Sequence, residues 1–302
     1  MGTEGYHEGE LAVQRRAGLL GEAARLSGML AAPDLSGGFG RFLADRAFVV
    51  ITGRDAEGRL WISPLFADPG FLDAHDRLLT VRAIPCRGDP LAGLPAGQPV
   101  GLIAIEFATR RRVRVNGMLT AVSSDELRID VDQVFGNCPK YIQQRLLRHT
   151  RTPSRASSQV QDRTTLSADD AAMITAADTL FLGTVHPSRG ADASHRGGPP
   201  GFVRIDDDRL WWPDYVGNNM FTSFGNLVVD PSAAVLFIDF DTGRALHLSG
   251  HAAVEWSEPG QIGDDGRTGR RTWFSLERIV AGMPINLHAD PAAPSPYNPH
   301  LT

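Results

Sequence analysis

The sequence predicts a mainly β protein with flanking helices, built from two similar barrels in tandem. The first observation is that short apolar or alternating segments recur along the 302 residues, with turn residues between them. The second is that ISPLFADPGF at 62–71 matches ASHRGGPPGF at 193–202, at an offset of 131 positions. We interpret this match as an internal duplication, and two unrelated β-rich domains are the alternative.

Four further pairs of segments keep the same order in the two halves. They are FVVITG (48–53) with TLFLGT (179–184), LLTV (78–81) with RLWW (209–212), TRRRVRVNG (109–117) with TGRALHLSG (242–250), and DVDQVFGNCPK (130–140) with SLERIVAGMPI (275–285). The offset grows to 145 because the second half holds extra residues, chiefly at 258–269. We therefore divide the chain into a first barrel with its helices (1–149), a linker (150–166) and a second barrel (167–302).

Local patterns then predict the elements in order. Helical spacing of apolar residues predicts a helix over 9–30. Six runs predict the strands of the first half: AFVVITG, RLWISPLF, RLLTV, VGLIAIEF, RRVRVNGMLTAV and LRIDVDQVF. So many strands with so little helix favour a closed or half-closed antiparallel barrel. Three more helices are predicted: 138–149 with a proline near its start, 167–178 with a serine N-cap, and 219–230, ended by a proline.

Composition excludes several classes of partner. A net charge of −5 gives no reason to expect nucleic acid or an anionic membrane. Two cysteines, Cys86 and Cys138, are too few for a disulfide framework. No segment resembles a signal peptide or a membrane span, so we expect a cytoplasmic protein. The histidines show no metal-binding pattern, because His247 and His251 would lie about 13 Å apart on a strand.

Four stretches of the chain resemble one known family. They are HEGELAVQRRAG (7–18), RRRVRVNG (110–117), FGNCPKYIQ (135–143) and the long segment 196–239, which begins RGGPPGFVRI. Through them the chain resembles the pyridoxamine 5′-phosphate oxidase-like split-barrel flavoproteins, and in particular those with two barrels in one chain. The resemblance implies two FMN-binding-type split barrels that form an intrachain pseudo-dimer, with FMN in the groove between them. Relatives bind F420 or haem instead.

A flavin needs positive charge or N–H donors at its phosphate, a flat wall for its ring and a donor at its N1–O2 edge. The segment 194–199 suits the wall, because glycines let a ring approach the main chain and prolines remove N–H groups. Its candidate cofactor-binding residues are Ser194, His195, Arg196, Gly197, Gly198 and Pro199. A barrel bend without a ligand is the alternative.

The segment YVGNNMFTSFGNL suits a phosphate. Asn218 and Asn219 can cap the following helix, whose free N–H groups attract anions, and Thr222 and Ser223 add hydroxyl donors. The family often has arginine where Met220 stands, so the phosphate must be held elsewhere or the cofactor differs. Simple helix capping is the alternative.

Basic residues of the first half supply a second set of candidates. Strand alternation places Arg110, Arg112 and Arg114 on one face, where Arg110 and Arg112 are candidates for phosphate binding across the barrel interface. Lys140 is a third candidate, for phosphate or a substrate carboxylate. A solvated or salt-bridged strand face is the alternative interpretation.

The favoured function is an FMN-dependent oxidoreductase acting on a small organic substrate, with NAD(P)H, oxygen or a separate flavin reductase as electron partner. His195, Tyr141 and Tyr215 are candidate catalytic residues only because they can move protons. The alternative is a non-catalytic or cofactor-variant protein: one that binds F420 or haem, with His195, His247 or His251 as haem ligands, or a flavin carrier that works with a separate reductase. The sequence leaves open whether two chains pair as a homodimer.

Overall fold

The structure, a computed structural model, describes residues 5–30, 34–149 and 160–302. Within these ranges no helix is long and apolar enough to cross a membrane. The helices are α1 (Glu8–Arg16), α2 (Leu20–Ala24), α3 (Gly38–Ala44), α4 (Ala168–Ala176) and α5 (Thr222–Val229), with a 3₁₀ turn at Ser27–Leu30.

Strands make up most of the regular structure. The first half contains β1 (Phe48–Arg54), β2 (Leu60–Phe66), β3 (Leu72–His75), β4 (Leu78–Val81), β5 (Gln98–Glu106), β6 (Arg111–Val122) and β7 (Leu127–Asn137). The rest contains β8 (Leu147–His149), β9 (Gln161–Arg163), β10 (Thr179–His186), β11 (Gly190–Gly197), β12 (Arg204–Asp206), β13 (Arg209–Pro213), β14 (Ser232–Asp239), β15 (Arg244–Trp256), β16 (Arg270–Pro284) and β17 (Leu287–Ala289). The predicted mainly β class is confirmed.

The two main sheets share one strand order. The first runs β2-β1-β5-β6-β7-β4-β3 and the second runs β11-β10-β14-β15-β16-β13-β12, with every pair antiparallel. Each sheet encloses its own apolar core, around Ile51 and Leu102 in the first half and around Leu182 and Val235 in the second. The predicted similarity of the halves therefore extends to their topology, while their common ancestry stays a prediction.

A third apolar core joins the two sheets. It combines residues such as Phe48 and Ile103 of the first half with Phe181 and Leu236 of the second. The main chains approach closely here, because a Cβ on Gly183 of β10 would lie 2.7 Å from the Thr52 side chain of β1. The two sheets thus pack face to face, and their relative position fixes the grooves on either side of this core.

Two predicted helices are wrong in part or in whole. The helix predicted over 9–30 divides into α1, α2 and the 3₁₀ turn, because Gly18 adopts a φ of +72° that an α-helix does not allow. The helix predicted over 138–149 does not form. Instead, the backbone of Gln144 exchanges hydrogen bonds with that of Ala293, and β8 pairs with β17. Partners that are distant in the sequence outcompete local helical spacing.

Other predicted elements are confirmed with adjusted boundaries. All six strands predicted for the first half form, and the short β3 is an addition. The N-cap of α4 is Ser167, whose hydroxyl accepts a hydrogen bond from the Asp170 N–H. Residues 150–159 of the predicted linker lie outside the described residues. The end of the linker is not free chain, because β9 pairs with β16.

Candidate functional site

A cleft opens between the two halves, beside the shared core. The ends of β6 and β7 form its wall from the first half, and β11, β13 and residues 214–224 form its wall from the second. It consists of two connected cavities of about 630 and 450 Å³ of empty space, open mouths included. Neither half alone supplies both walls.

The cleft carries an excess of positive charge. Its lining includes five cationic side chains: Arg112, Arg114, Lys140, Arg196 and Arg270. Among the described lining residues Asp214 is the one carboxylate, and Asp192 lies behind the lining. A cleft with this balance attracts anionic ligands, and the attraction strengthens where water is excluded.

Arg112 is tied to the backbone and side chain of His195. One guanidinium nitrogen donates to His195 Nδ1 at 2.9 Å and to the His195 carbonyl oxygen at 3.1 Å. Burial, reinforced by Arg112 and three other arginines, lowers the pKa of His195 well below its usual value. The imidazole is therefore neutral, and because Nδ1 accepts, its proton is on Nε2.

Arg114 forms the buried ion pair of the cleft. Its Nη1 contacts both carboxylate oxygens of Asp192, at 2.9 and 3.1 Å. The Ser223 hydroxyl donates to the same carboxylate at 3.1 Å. Since Arg114 is on β6 and Asp192 on β11, this pair also connects the two halves.

On the opposite wall, Arg270 Nε donates to Asp214 at 2.8 Å. Burial raises the pKa of Asp214, against the opposing effects of Arg270 and Arg196. Arg196 lies over the Phe224 ring, with its guanidinium carbon 5.6 Å from the ring centre. Arg196 thus supplies the cleft with a cation that is held by stacking.

Unsatisfied polar atoms concentrate in this cleft. Fifteen buried side-chain nitrogen or oxygen atoms of the described residues lack a hydrogen-bond partner, and six of them belong to residues that line it. These six are Arg112 Nε, Arg114 Nε, Asn137 Oδ1, His195 Nε2, Arg196 Nε and Tyr215 Oη. Five of the six can donate, so the cleft suits a ligand rich in acceptor oxygens.

The backbone around the cleft is strained. Tyr141, Asn219 and Phe221 have φ values of 66°, 62° and 60°, in the left-handed region that non-glycine residues rarely adopt. Each such residue costs on the order of 1 kcal/mol and persists only where its surroundings hold it. Here the Tyr141 hydroxyl donates to the Val216 carbonyl at 3.1 Å, which fastens the two walls together.

The predicted glycine wall has a different physical basis. A Cβ on Gly197 would lie 2.0 Å from the Tyr141 carbonyl oxygen, and one on Gly198 would lie 2.6 Å from the Phe202 ring. These glycines therefore permit close packing of protein on protein. Of the predicted segment, His195, Arg196 and Gly197 line the cleft, whereas Ser194, Gly198 and Pro199 do not.

The predicted asparagine caps are wrong. The N-cap of α5 is Phe221, without a side-chain hydrogen bond. Asn218 accepts from the Met220 N–H, and Asn219 donates to Glu22. Both asparagines still line the cleft.

The hydroxyls at the start of α5 are already engaged. Thr222 hydrogen-bonds to Glu10, and Ser223 donates to Asp192. Both residues line the smaller cavity. An anion at this helix terminus would therefore meet two carboxyl groups, and the arginines are the stronger anion partners.

The basic residues of the first half separate into two groups. Arg112 and Lys140 line the cleft, whereas Arg110, at the turn before β6, directs its Nε to the Ile142 carbonyl oxygen at 3.0 Å and lies outside it. Cys138 also lines the cleft, with its Sγ 3.9 Å from an Arg112 nitrogen. Strand alternation places Arg112 and Arg114 together correctly, but it does not extend to Arg110.

The three catalytic candidates all line the cleft. Burial raises the pKa of Tyr141 to about 12 and raises that of Tyr215 further. The two rings lie against each other, with centres 4.8 Å apart. His195 is unsuited to act as a base near neutral pH, because Arg112 occupies its lone pair.

Sequence reasoning missed several residues of the second wall. Asp214, Arg270 and Phe224 have no counterpart in a recognisable motif, and Arg270 is 56 residues from its partner Asp214. No sequence pattern indicated the positive φ of Tyr141. Asn137, Asp214 and Phe224 lie within the quoted stretches 135–143 and 196–239, but their roles did not follow from those stretches.

A separate cluster of potential metal ligands lies outside the cleft. Ligand atoms of His7, Glu8 and His186 come within 4.8 Å of one another. Their nitrogens are already engaged, since His7 Nε2 contacts Asn226 and His186 Nε2 contacts Glu8, while His186 Nδ1 accepts from the Ser188 N–H. The cluster fastens the start of α1 to the second half.

Comparison with known sequences finds a family that matches the second half of the chain. Residues 166–264 match the sequence model of the pyridoxamine 5′-phosphate oxidase family. Over this segment the chain matches the family that its sequence resembles. The match covers β10 to β15 and the second wall of the cleft except Arg270. No curated protein matches this chain by sequence.

Several solved structures of similar fold each match about two fifths of this chain. HupZ of Group A Streptococcus is 12% identical, with a TM-score of 0.33, and the match covers 39% of this chain and 94% of HupZ. HutZ, the haem storage protein of Vibrio cholerae, is 15% identical (TM-score 0.30; 40% and 97%). An FAD-binding protein of Mesorhizobium loti is 13% identical (TM-score 0.28; 41% and 97%).

Proposed function

We propose that the cleft binds FMN and that the protein is an FMN-dependent oxidoreductase acting on a small organic substrate. The observation that carries this proposal is the cationic excess of the cleft, together with its five unpartnered donor groups. A ligand that combines a phosphate with ring carbonyl oxygens would satisfy both. The match of residues 166–264 to the pyridoxamine 5′-phosphate oxidase family supports the same assignment.

Three arginines are suited to the phosphate. Arg112, Arg114 and Arg196 each keep an unpartnered Nε in the cleft, and guanidinium groups match phosphate oxygens in geometry as well as charge. Arg112 and Arg114 are held in position by His195 and Asp192. This group takes the place of the arginine that the family often has at the position of Met220.

Aromatic side chains are suited to the ring. Tyr141, Tyr215, Trp212 and Phe224 all line the larger cavity. Their faces can pack against a planar cofactor, and the Tyr215 hydroxyl and Arg Nε groups can donate to its oxygen-bearing edge. The bound flavin would supply the hydride or electron transfer, and these residues would orient it and exclude water.

F420 and haem differ in how well they fit. F420 also combines a phosphate with a planar ring, so the cleft accommodates its chemistry equally. Haem needs a histidine lone pair, but the free nitrogen of His195 carries a proton. His247 is fully buried, and His251 is exposed and 3.0 Å from Glu277. None of the three predicted ligands therefore presents a lone pair to the cleft.

A second function has one observation in its favour. None of the three catalytic candidates is poised as a base, since His195 is engaged and both tyrosine pKa values are raised. A flavin carrier that exchanges electrons with a separate reductase needs no such base. Turnover that appears with NAD(P)H alone would support the oxidoreductase, and turnover that requires an added reductase would support the carrier.

The absorption spectrum of the purified protein, before and after denaturation, tests the cofactor. We expect the flavin band, released on denaturation. Arg112→Ala should weaken FMN binding about 10- to 100-fold, because a hydrogen bond to a charged group contributes about 1.5–3 kcal/mol. Arg111→Ala is the matched control, since Arg111 is exposed on the other face of β6. A protein that takes up no FMN would overturn the proposal.

A further inference from the structure

The cleft has a counterpart on the other side of the shared core, and that counterpart is closed. We propose that the chain binds one phosphate-bearing cofactor, and not two, because closure has removed the second site. This inference rests on the proposed function, since it concerns the number of FMN sites per chain.

Strand register identifies the equivalent positions. Arg112 of β6 stands opposite Ile105 of β5, and Ala245 of β15 stands opposite Ile238 of β14. Two residues further on, Arg114 is opposite Ile103, and His247 is opposite Leu236. Because the sheets share one strand order, Ala245 and His247 are the counterparts of Arg112 and Arg114.

The same reasoning applies to β11 and β2. Ser194 stands opposite Leu182, and Ser63 stands opposite Ile51, at the common offset of 131. Leu65 is therefore the counterpart of Arg196. For Lys140 the sequence match of the segments at 130–140 and 275–285 gives Ile285 as the counterpart, because a bulge at Ala245/Leu246 shifts the strand register there by one residue.

The two halves also meet at equivalent residues. Thr52 is opposite Gly101 in the first sheet, and Gly183 is opposite Ala234 in the second, so Thr52 and Gly183 correspond. These two residues touch each other across the shared core. Contact between equivalent residues is the mark of a two-fold arrangement, which creates every interfacial groove twice.

Four cations of the cleft have no arginine or lysine at the equivalent position of the closed groove. The counterparts of Arg112, Arg114, Arg196 and Lys140 are Ala245, His247, Leu65 and Ile285, and all four are buried. Ala245 and Ile285 belong to the apolar core between the barrels. An anionic ligand at this position would lose its hydration and gain no cationic side chain among these residues.

Polar contacts fill the part of the closed groove that the apolar residues do not occupy. His247 Nδ1 donates to the Ile62 carbonyl oxygen at 3.0 Å. Asp89 accepts from the Ser63 hydroxyl at 2.6 Å and lies 3.9 Å from His247 Nε2. Asp89 belongs to the connection 82–97, which folds over this groove without a helix, whereas the equivalent connection in the second half contains α5.

Titration of the cofactor-free full chain with FMN, followed by quenching of flavin fluorescence, tests this inference. We expect one FMN per chain. Arg196→Leu and Arg112→Ala each introduce into the cleft the residue found at the equivalent closed position, and each should weaken binding at least tenfold. Ser63→Ala on the closed side is the matched control and should leave both affinity and stoichiometry unchanged. Circular dichroism checks that each variant is folded.

Each outcome separates the inference from the proposed function. Two FMN molecules per chain would overturn the inference and leave the proposed function standing. A single site that survives both arginine substitutions but is weakened by Ser63→Ala would also overturn it, because the occupied groove would be the other one. If no FMN binds at all, the proposed function itself fails.

Discussion

The two grooves beside the shared core have the same backbone plan and opposite contents. In the open groove, arginines of β6 and β11 face one another with few carboxylates. In the closed groove, their counterparts are mostly apolar and pack into the core. Buried cations need partners and cannot simply collapse together, whereas apolar side chains gain from doing so. Side-chain charge, on one topology, therefore decides which groove remains open.

The connecting segments reinforce the difference. The connection after β13 contains α5, which packs on α1 so closely that a Cβ on Gly9 would lie 2.2 Å from the Gly225 carbonyl oxygen. The shorter connection after β4 contributes Asp89 to the closed groove instead. The first half thus has no helix equivalent to α5, which forms part of the second wall of the cleft.

The largest expected effect compares a buried carboxylate on each side. Asp192→Asn should lower the free energy of unfolding by about 3–5 kcal/mol, because it leaves the buried Arg114 cation without its partner. Asp89→Asn should cost about 1 kcal/mol, since the amide oxygen can still accept from Ser63. Burial also raises the pKa of Asp89, so the folded protein disfavours the charged carboxylate. Replacing it by a neutral amide therefore costs less stability. Equal costs in urea denaturation would contradict the contrast between the grooves.

The next effect concerns Glu10, behind the open groove. Burial raises the pKa of Glu10 from 4.5 to about 7. Between pH 4.5 and pH 7, Glu10 is ionised in the unfolded chain and protonated in the folded chain. Unfolding therefore releases a proton, and the free energy of unfolding falls as the pH rises. The total is about 3 kcal/mol.

The difference between the wild type and Glu10→Gln isolates this effect, because burial lowers the pKa of the neighbouring His7 to about 4, which acts in the opposite direction. Unfolding measured from pH 5 to 8 should show the stability of the wild type falling relative to Glu10→Gln. A constant difference between them would show that Glu10 is ionised throughout.

A smaller effect tests the contact between equivalent residues. Gly183→Ala should destabilise the protein by about 1–3 kcal/mol, because its Cβ would lie 2.7 Å from Thr52. Thr52→Ala in the same chain removes the obstructing atoms and should recover part of the loss. A double-mutant cycle on thermal unfolding measures the coupling. Strictly additive effects would mean that the two residues do not meet.

The smallest effect separates the two tyrosines of the cleft. Tyr141→Phe loses the hydrogen bond to Val216 and should cost about 0.5–1.5 kcal/mol. Tyr215→Phe removes a hydroxyl without a partner and should leave the cofactor-free protein equally stable, while it weakens FMN binding. If Tyr215→Phe left FMN affinity unchanged, the hydroxyl would not contact the cofactor.

Several elements could be predicted because their signals are local. The strands of the first half form where apolar alternation placed them, and Ser167 caps α4 as its position before acidic residues indicated. Alternation also put Arg112 and Arg114 on one face of β6. The predicted helix over 138–149 failed because its spacing is helical while its backbone partners, near Ala293, are distant in the sequence.

The candidate site shows the same division between residues that local patterns indicate and residues that acquire a role only in the folded chain. His195, Arg196 and Lys140 were candidates from their residue types, and all three line the cleft. Asp214 and Arg270 were not, because each acquires its role only when β13 and β16 lie side by side. The sequence predicts that Gly197 and Gly198 let a cofactor ring approach the main chain. In the structure their close neighbours are Tyr141 and Phe202.

The sequence by itself determined that this chain is mainly β and that its two halves match in segment order, because strand periodicity and segment order are properties of neighbouring residues. Only the tertiary structure decided which of two equivalent grooves stays open. That outcome depends on whether buried side chains meet a counter-charge or an apolar neighbour, and those partners come from opposite halves of the chain.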